Sequence, residues 1–396
     1  MFPAVSGSVN TEWPVPMAAA ESVTSDDSAN TDLRASLTLS LITGVGPLLQ
    51  ATLLQHFGSA DQVLKQSAAT LQRVDGVGTQ LANRIAENSQ ISAAGEILHR
   101  CHELGVHLLQ KWTDAYPQSL AHVHDSPELL YCRGLLKPQD NLAVAVVGSR
   151  RCTTYGRLQA ERLAGSLVRA GFTVVSGLAR GIDGAAHRGA LNAGGRTIAV
   201  MATGVREIYP PEHANLAMEI VDSGALVSEF PLDQKPRPGL FPQRNRIISG
   251  LSLGVIVVEA TRNSGALHTA RHALEQGREV FAVPGQLDSL ASEGCHDLIR
   301  DGVTLVRNVD DILRELGPLP CPTTSESQAT IHDPRELSLN PQEREILNLI
   351  STSPVSVDEV LRTTQLDMSR VLSTVTVLEM KHFVRRLPGN MLVRNV

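Results

Sequence analysis

Three short segments combine glycine with hydroxyl or arginine side chains, and each follows an apolar, strand-like run. They are Gly148-Ser149-Arg150, residues 176–181 with Gly177 and Arg180, and Thr203-Gly204. Glycine turns that lead into helices present backbone amides that bind anions. Arginine adds forked donors that match phosphate oxygens. The turns therefore predict phosphate binding, and an ordinary strand-to-helix turn is the alternative for any one of them.

Residues 241–246 add an aromatic side chain to this chemistry. Phe241 offers a face on which a base can stack, and Arg244 and Arg246 flank Asn245 with donors for phosphate. Prolines at positions 236, 238 and 242 hold the approach extended. Aromatic residues are only 3% of the chain, so phosphate contacts must dominate any binding of nucleic acid. The alternative for Phe241 is a core residue under a loop.

The sequence lacks the motifs that are typical of nucleotide-hydrolysing and metal enzymes. The sequence has no GxxxxGK[ST] loop and no GxGxxG after the first strand, which argues against ATP hydrolysis and nicotinamide binding. The histidines and cysteine of residues 99–107 lack a fourth ligand at usable spacing. Asp183 and His187 share a helix face without an activated nucleophile, which favours a structural role. We predict a binding protein rather than an enzyme, with no cofactor and no metal.

The charges are unevenly distributed along the chain. The net charge of −6 alone would argue against nucleic acid. However, residues 141–206 hold nine arginines against two acids, and residues 234–278 hold seven basic residues against two acids. Residues 207–233 between them hold six acids and no Lys or Arg. Either the arginines bind phosphate, or they pair with these acids on solvated faces.

Cysteine usage and hydropathy indicate the compartment. Five cysteines are scattered without a CxxC pair, which is typical of free thiols in a reducing compartment. No apolar run approaches the roughly 18 residues that a membrane span needs. Residues 1–34 have no basic residue before Arg34, unlike a signal peptide, and their polar composition predicts disorder. We expect a cytoplasmic protein without a membrane span.

The positioning elements fall into successive segments of the 396-residue chain. Within residues 35–110 a Gly-Val-Gly turn occurs twice, at Gly44 and Gly76, and each copy leads into a helix. This pattern indicates helix-hairpin-helix elements, and phosphate binding or plain helix packing explains it equally well. Residues 111–316 alternate β-branched runs with helical stretches and predict a doubly wound, Rossmann-like α/β fold with a parallel sheet. The predicted strands are 142–147, 172–175, 197–201, 225–227, 254–258, 279–283 and 303–306.

The last part of the chain predicts a second, smaller domain. Residues 317–335 are rich in Pro, Ser and Thr and indicate a linker. Residues 336–396 contain three helical stretches and a hairpin, which suggest a winged helix. Its recognition helix carries only Arg370 and Lys381 as basic groups, so contact with protein is at least as well supported as reading of a DNA groove.

The order of these motifs resembles the DNA-processing protein A family, DprA or Smf. The similarity covers residues 41–316 closely and the tail more loosely. The matching blocks are residues 146–150, 176–183, 186–187, 209–210, 228–231, 241–252, 257–260, 264–270 and 283–285.

This resemblance implies a helical N-terminal domain, a Rossmann domain that binds single-stranded DNA and forms a homodimer, and a winged-helix tail. It implies protection of incoming DNA during natural transformation, in competent cells, and loading of the RecA recombinase onto it. Carried onto this chain, Gly148, Ser149 and Arg150 would contact the DNA backbone. Lys235, Arg237 and Phe241 fall in the stretch that supplies further contacts.

Departures from the family pattern and two alternatives remain. Gly294-Cys295-His296 stands where the family usually has Gly-x-Asn, and His382 stands where its tail usually has glycine.

The Lonely Guy nucleoside-monophosphate phosphoribohydrolases have a similar Rossmann core and give an enzymatic alternative. Their Pro-Gly-Gly-x-Gly-Thr stretch is not continued after Val283-Pro284-Gly285. A scaffold that binds only proteins is the remaining alternative.

Overall fold

The computed structural model describes residues 27–87, 90–317, 319, 323–324, 330–364 and 366–395. The chain divides into two compact units. The first unit comprises Met1–Leu136, Ser176–Arg180 and Thr197–Leu251, and the second comprises Lys137–Val175, Gly181–Arg196 and Ser252–Val396.

Helices and strands are numbered in chain order over the described residues. The helices are α1 Asp27–Leu41, α2 Pro47–Phe57, α3 Ala60–Leu64, α4 Ala68–Leu71, α5 Thr79–Ala86, α6 Ile91–Glu103, α7 Gln118–Ala121, α8 Thr154–Arg169, α9 Ile182–Asn192, α10 Ala214–Ser223, α11 Leu240–Gly250, α12 Gly265–Glu275, α13 Glu293–Arg300, α14 Val309–Glu315, α15 Pro341–Leu349, α16 Val357–Thr363 and α17 Met368–Met380. The strands are β1 Val106–Gln110, β2 Leu129–Gly134, β3 Ala143–Gly148, β4 Thr173–Ser176, β5 Thr197–Val200, β6 Ala225–Ser228, β7 Gly254–Val258, β8 Glu279–Ala282, β9 Thr304–Leu305, β10 Thr323–Thr324, β11 Thr330–Ile331, β12 Val355–Ser356, β13 Val384–Leu387 and β14 Met391–Arg394.

The repeated Gly-Val-Gly turns form two packed hairpins in the first unit. Gly44 and Gly76 have φ angles of +104° and +86°, which glycine adopts without strain. A Cβ on Gly44 would lie 3.3 Å from Leu81 of α5, and a Cβ on Gly76 would lie 3.5 Å from Leu49 of α2. Each turn therefore packs against the helix that follows the other turn. The predicted helices are confirmed, packing accounts for the glycines, and phosphate binding at these turns stays a prediction.

Four strands of the first unit lie in the order β1-β2-β6-β5. Strands β5 and β6 are parallel, and α10 connects them and buries Leu216, Ala217 and Ile220. Strand β2 pairs antiparallel with β6, and β1 pairs antiparallel with β2. The sequence analysis predicted β5 and β6 but neither β1 nor β2, and it placed β1 in the helical N-terminal segment.

The second unit carries parallel strands in the order β4-β3-β7-β8-β9. The chain places β4 on one side of β3 and β7 on the other, so the strand order reverses at β3. Helices α8 and α9 cover this sheet around a core that includes Val144, Leu163, Ile256 and Phe281. In such sheets ligands bind outside the carboxyl ends of the strands at the reversal. The predicted mixed α/β fold with a mainly parallel sheet is confirmed.

The predicted winged helix is confirmed as α15, α16 and α17 with the sheet β12-β14-β13. Its core includes Ile346, Val371 and Leu392. Residues 317–335, predicted as a linker, contain β10 and β11, and Ile331 is buried in the core beneath the parallel sheet of the second unit.

The basic groups on the predicted recognition helix are ion-paired. Arg370 lies 3.7 Å from Asp367, and Lys381 lies 2.8 Å from Glu343. The exposed side chains of α17 include Met368, Leu372 and Met380. An apolar face with neutralised cations suits contact with protein better than contact with a phosphate backbone.

At the N-terminal end, α1 begins at Asp27. Residues 27–34 are thus helical, which differs from the disorder predicted for residues 1–34, and the first 26 residues lie outside the described part. Within the described ranges, no helix combines the length and the apolar character needed to cross a bilayer.

Candidate nucleic-acid interface

The glycine turn after β3 lies at the strand-order reversal of the second unit. The Ser149 amide donates to the Glu259 carbonyl over 2.8 Å, and the Ser149 carbonyl accepts from the Ile182 amide over 3.2 Å. A Cβ on Gly148 would lie 1.9 Å from the Val258 carbonyl oxygen. Only glycine therefore fits at 148, and the turn is fixed between the ends of β3 and β7 and the start of α9.

A carboxylate from the protein occupies the amino terminus of α8 beside this turn. Buried Glu259 accepts hydrogen bonds from the Thr153 amide, over 2.7 Å, and from the Thr153 hydroxyl. A Cβ on Gly156 would lie 2.3 Å from the Glu259 carboxylate, so glycine makes room for it. The position where a helix start would hold a phosphate is therefore filled by Glu259. Arg150, on the same turn, is exposed.

In the first unit, Gly177 makes room for a buried arginine. The Arg244 guanidinium donates to the carbonyl of Val200, the last residue of β5, over 2.7 Å. A Cβ on Gly177 would lie 1.8 Å from Arg244 Nη1. Arg244 is only 3% exposed and Asn245 is also buried. Their burial favours a supporting role over the direct phosphate contact that the sequence predicted.

Arg246, which also lies on α11, forms a buried ion pair with Glu229. Its Nη2 donates to Glu229 Oε2, and its Nε lies 3.3 Å from Asp125 Oδ2. The side chains of Arg246 and Glu229 are each 8% exposed. Burial raises the pKa of Glu229, and the Arg246 charge opposes that rise. Arg246 therefore neutralises a buried acid and anchors α11, which also favours a supporting role.

Three of the predicted cations of the first unit are at the surface. Lys235 and Arg237 are exposed and form no ion pair with any residue in the described ranges. Arg180 is 57% exposed and pairs with Glu212, which is 49% exposed. Hydrogen bonding from Arg180 lowers the pKa of Glu212 to about 2. An exposed pair of this kind contributes little stability, so a phosphate can replace the carboxylate.

An aromatic pair lies in the same unit. The rings of Tyr209 and Phe241 are 5.8 Å apart at 61°, in an edge-to-face arrangement. Tyr209 is exposed and Phe241 is half-buried. Phe241 is therefore partly accessible rather than a core residue. The sequence analysis missed Tyr209 as its partner because the two residues are distant in the chain.

The acidic segment 207–233 does pair with arginines, as the alternative interpretation of the charges predicted. For the arginines of residues 141–206 and 234–278, the pairs with this segment are Arg180–Glu212, Arg246–Glu229 and Arg206–Asp233. One of them is buried and two are exposed. The acidic segment thus neutralises part of the positive charge of the neighbouring segments. Fewer cationic side chains are accessible than the sequence suggested.

No group of three or more potential metal ligands was found among the residues the structure describes. Asp183 and His187 are both buried on α9.

The family model for DNA recombination-mediator protein A matches residues 107–317, and the DprA winged helix domain model matches residues 331–390. The chain is 32% identical over 391 residues to Protein Smf of Synechocystis sp., covering 91% of this chain and 98% of that protein. It is 38% identical over 274 residues to the DNA processing protein DprA of Bacillus subtilis, covering 69% and 92%. The X-ray structure of DprA from Streptococcus pneumoniae is similar with a TM-score of 0.63 at 33% identity, covering 71% of this chain and 96% of that one. Because the two family models match residues 107–317 and 331–390 and the Synechocystis relative is covered almost in full, the chain belongs to the DNA-processing protein A (DprA/Smf) family.

Proposed function

We propose that this protein binds single-stranded DNA through its phosphates, without sequence preference, and presents it to a RecA-type recombinase during natural transformation and recombination. It acts in the cytoplasm, as a homodimer and without catalysis. The observation that supports this best is the exposure of Arg180, Lys235 and Arg237 in the unit that holds the Tyr209–Phe241 pair. The names of its relatives, which process DNA, agree with such a ligand.

The first unit offers cations and a ring face, which are the two features that bind single strands. Lys235 and Arg237 lie on the segment that leads into α11, and Phe241 is the second residue of that helix. Cationic side chains bind the backbone and release counterions, and an aromatic face accepts a base of any sequence. The arrangement therefore favours binding without sequence preference.

The second unit offers the Gly148-Ser149-Arg150 turn. Its glycine lets β7 and α9 pack closely against the turn, and Arg150 is exposed. Because Glu259 already fills the amino terminus of α8, we assign phosphate contact here to the turn and to Arg150. The same carboxylate disfavours the phosphoribohydrolase alternative, since it would repel a nucleotide phosphate at that helix start. Incubation with nucleoside monophosphates is expected to release no free base.

A salt titration with a labelled mixed-sequence oligonucleotide tests the DNA-binding proposal. About four exposed cations, with one phosphate each, predict a slope near −3 for log affinity against log salt. The variants Lys235→Gln and Arg237→Gln are expected to weaken binding equally for all sequences. Arg314→Gln, which removes an exposed arginine of α14, is the matched control. A flat salt response, or equal effects of Arg314→Gln and Lys235→Gln, would contradict the proposal.

The partner proposals need separate measurements. Sedimentation of the purified chain tests the homodimer. Recombinase filament formation on strands coated with single-strand-binding protein, with and without this chain, tests loading. Binding of DNA without any stimulation of filament formation would restrict the function to protection of the strand.

A further inference from the structure

Two arginines of the first unit contact one carboxylate, and none of the three residues belongs to the surface formed by Arg180, Lys235 and Arg237. Arg100 Nη2 lies 2.6 Å from Asp233 Oδ2, and Arg206 Nη1 lies 2.7 Å from Asp233 Oδ1. Arg100 comes from α6, and Arg206 comes from the loop that follows β5. Each carboxylate oxygen is used by one guanidinium. The cluster therefore carries one more positive charge than negative.

Donors remain available on both guanidinium groups. A guanidinium has five N–H donors, and each of these arginines directs one hydrogen bond or ion-pair contact to Asp233. The side chains of Arg100 and Arg206 are each 42% exposed, and that of Asp233 is 44% exposed. A tetrahedral anion can therefore reach both groups from solvent.

A third guanidinium, that of Arg133, lies near Arg206. Burial and the nearby charge of Arg206 lower the pKa of Arg133 to about 10. The contribution of Arg206 to this shift reflects repulsion between the two guanidinium groups. An additional anion would relieve the repulsion.

The cluster is rigidly joined to the proposed DNA-binding segment. The Gly204 amide donates to the Gln234 carbonyl over 2.9 Å, and the Arg206 amide donates to the Leu232 carbonyl over 3.3 Å. A Cβ on Gly204 would lie 2.1 Å from the Leu232 carbonyl oxygen, so the two segments touch. Lys235 follows Asp233 by two residues, which spans at most about 7 Å. Lys235 and the cluster therefore lie on one short segment, where neighbouring phosphates of one strand can reach both.

We propose that Arg100 and Arg206 form a further phosphate-binding site for single-stranded DNA, with Asp233 holding the two guanidinium groups together and limiting affinity. This inference rests on the proposed function and extends the interface onto α6, which precedes the residues matched by the main family model. The recognised chemistry is the phosphodiester of a nucleic-acid backbone. An unpaired Asp233 would raise the repulsion toward that backbone, so its two arginine partners also screen it.

Substitutions that are expected to change the affinity in opposite directions test this site, with fluorescence anisotropy of a labelled single strand as the measurement. Arg100→Gln and Arg206→Gln each remove one phosphate contact and reduce the salt slope by about 0.7. When salt is raised from 50 to 200 mM, the affinity of each variant should therefore fall by a factor that is roughly 2.6 times smaller than the factor for the unmodified chain. Asp233→Asn removes the competing carboxylate and is expected to strengthen binding by about threefold at 50 mM salt.

The matched control is Glu219→Gln, which makes the same charge change in the same acidic segment. Glu219 is exposed and forms no ion pair in the part of the chain that is described. Its removal should change affinity by less than Asp233→Asn does, because the ion pairs of Arg100 and Arg206 are with Asp233 and not with Glu219 among the described residues. Arg206→Lys should keep most of the salt slope, since it retains the charge. Thermal unfolding verifies that all variants are folded.

The outcomes separate this inference from the proposed function. If the unmodified chain fails to bind single strands at 50 mM salt, the proposed function is wrong. If it binds, and Lys235→Gln weakens binding while Arg100→Gln and Arg206→Gln do not, only the further site is wrong. A purely structural ion cluster would make Asp233→Asn neutral or weakening, and that result would also overturn the inference.

Discussion

Replacing Arg246 by Met tests whether this arginine supports α11 or contacts DNA. The substitution keeps an unbranched chain of similar length but leaves Glu229 buried without its guanidinium partner. Removing one member of a buried pair costs about 3–5 kcal/mol. Asp125, the second partner of Arg246, is 37% exposed and adds little to this cost. We therefore expect the free energy of unfolding of the first unit to fall by about 3 kcal/mol at pH 8.

The sign of the pH dependence follows from Glu229. Burial already raises its pKa in the folded protein, and loss of the Arg246 charge would raise it further. The folded variant then holds a proton that the unfolded chain releases, so its stability falls as pH rises from the unfolded pKa. The variant should therefore lose less stability at pH 5 than at pH 8.

The double variant Arg246→Met/Glu229→Gln removes both charges and is the control for folding. It should recover most of the lost stability, and the cycle of four proteins gives the coupling energy between the two side chains. Urea unfolding followed by circular dichroism measures stability, and anisotropy measures the affinity for single strands. If the double variant is folded but has lost affinity and salt slope, Arg246 contacts phosphate and the supporting role is wrong. A single variant as stable as the unmodified protein would refute the burial argument.

Three further predictions use other positions. Gly148→Ala should destabilise the second unit by about 3 kcal/mol or prevent its folding, as measured by thermal unfolding, because its Cβ would overlap the Val258 carbonyl. Burial raises the pKa of Glu128 to about 7, so its charged form destabilises the folded protein, and its partial exposure halves the full effect. Glu128→Gln should therefore raise the free energy of unfolding by about 1–2 kcal/mol above pH 7 but not below pH 4.5. Urea midpoints that move equally at pH 4.5 and pH 8 would contradict this. Tyr209→Ala and Phe241→Ala should weaken binding of a normal strand by about 1–3 kcal/mol but leave binding of an abasic strand unchanged, and equal losses for both strands would exclude base stacking.

Helices and strands whose formation depends on neighbouring residues were predictable, because the hydrophobic pattern of the sequence indicates them. Strand β7 has the bounds that the sequence predicted, since a β-branched run is a local signal. Strands β1 and β2 were missed. Their antiparallel pairing is a contact between distant segments, and Arg133 within β2 interrupts the apolar pattern that marks a buried strand.

The candidate site was predictable in its residue types but not in its exposure. Arginine is rarely buried, so the sequence placed Arg244 and Arg246 at the surface with the others. Their burial depends on the Val200 carbonyl and on Glu229, which lie 44 and 17 residues away in the chain. The sequence interpreted Gly177 as part of an anion-binding turn, and in the structure a Cβ at this position would overlap the Arg244 guanidinium, a contact that the sequence did not indicate.

A protein of net charge −6 can bind a polyanion because local exposure of charge decides the interaction. The acidic segment neutralises Arg246 in the interior, where an unpaired cation would be costly, and pairs with Arg180 and Arg206 at the surface, where the pairs are weak. The surface pairs hold the guanidinium groups in place and release them to a phosphate at small cost. Under the proposed function, segment 207–233 would both build the interior that supports α11 and limit how tightly the surface holds DNA, which would suit transfer of the strand to another protein.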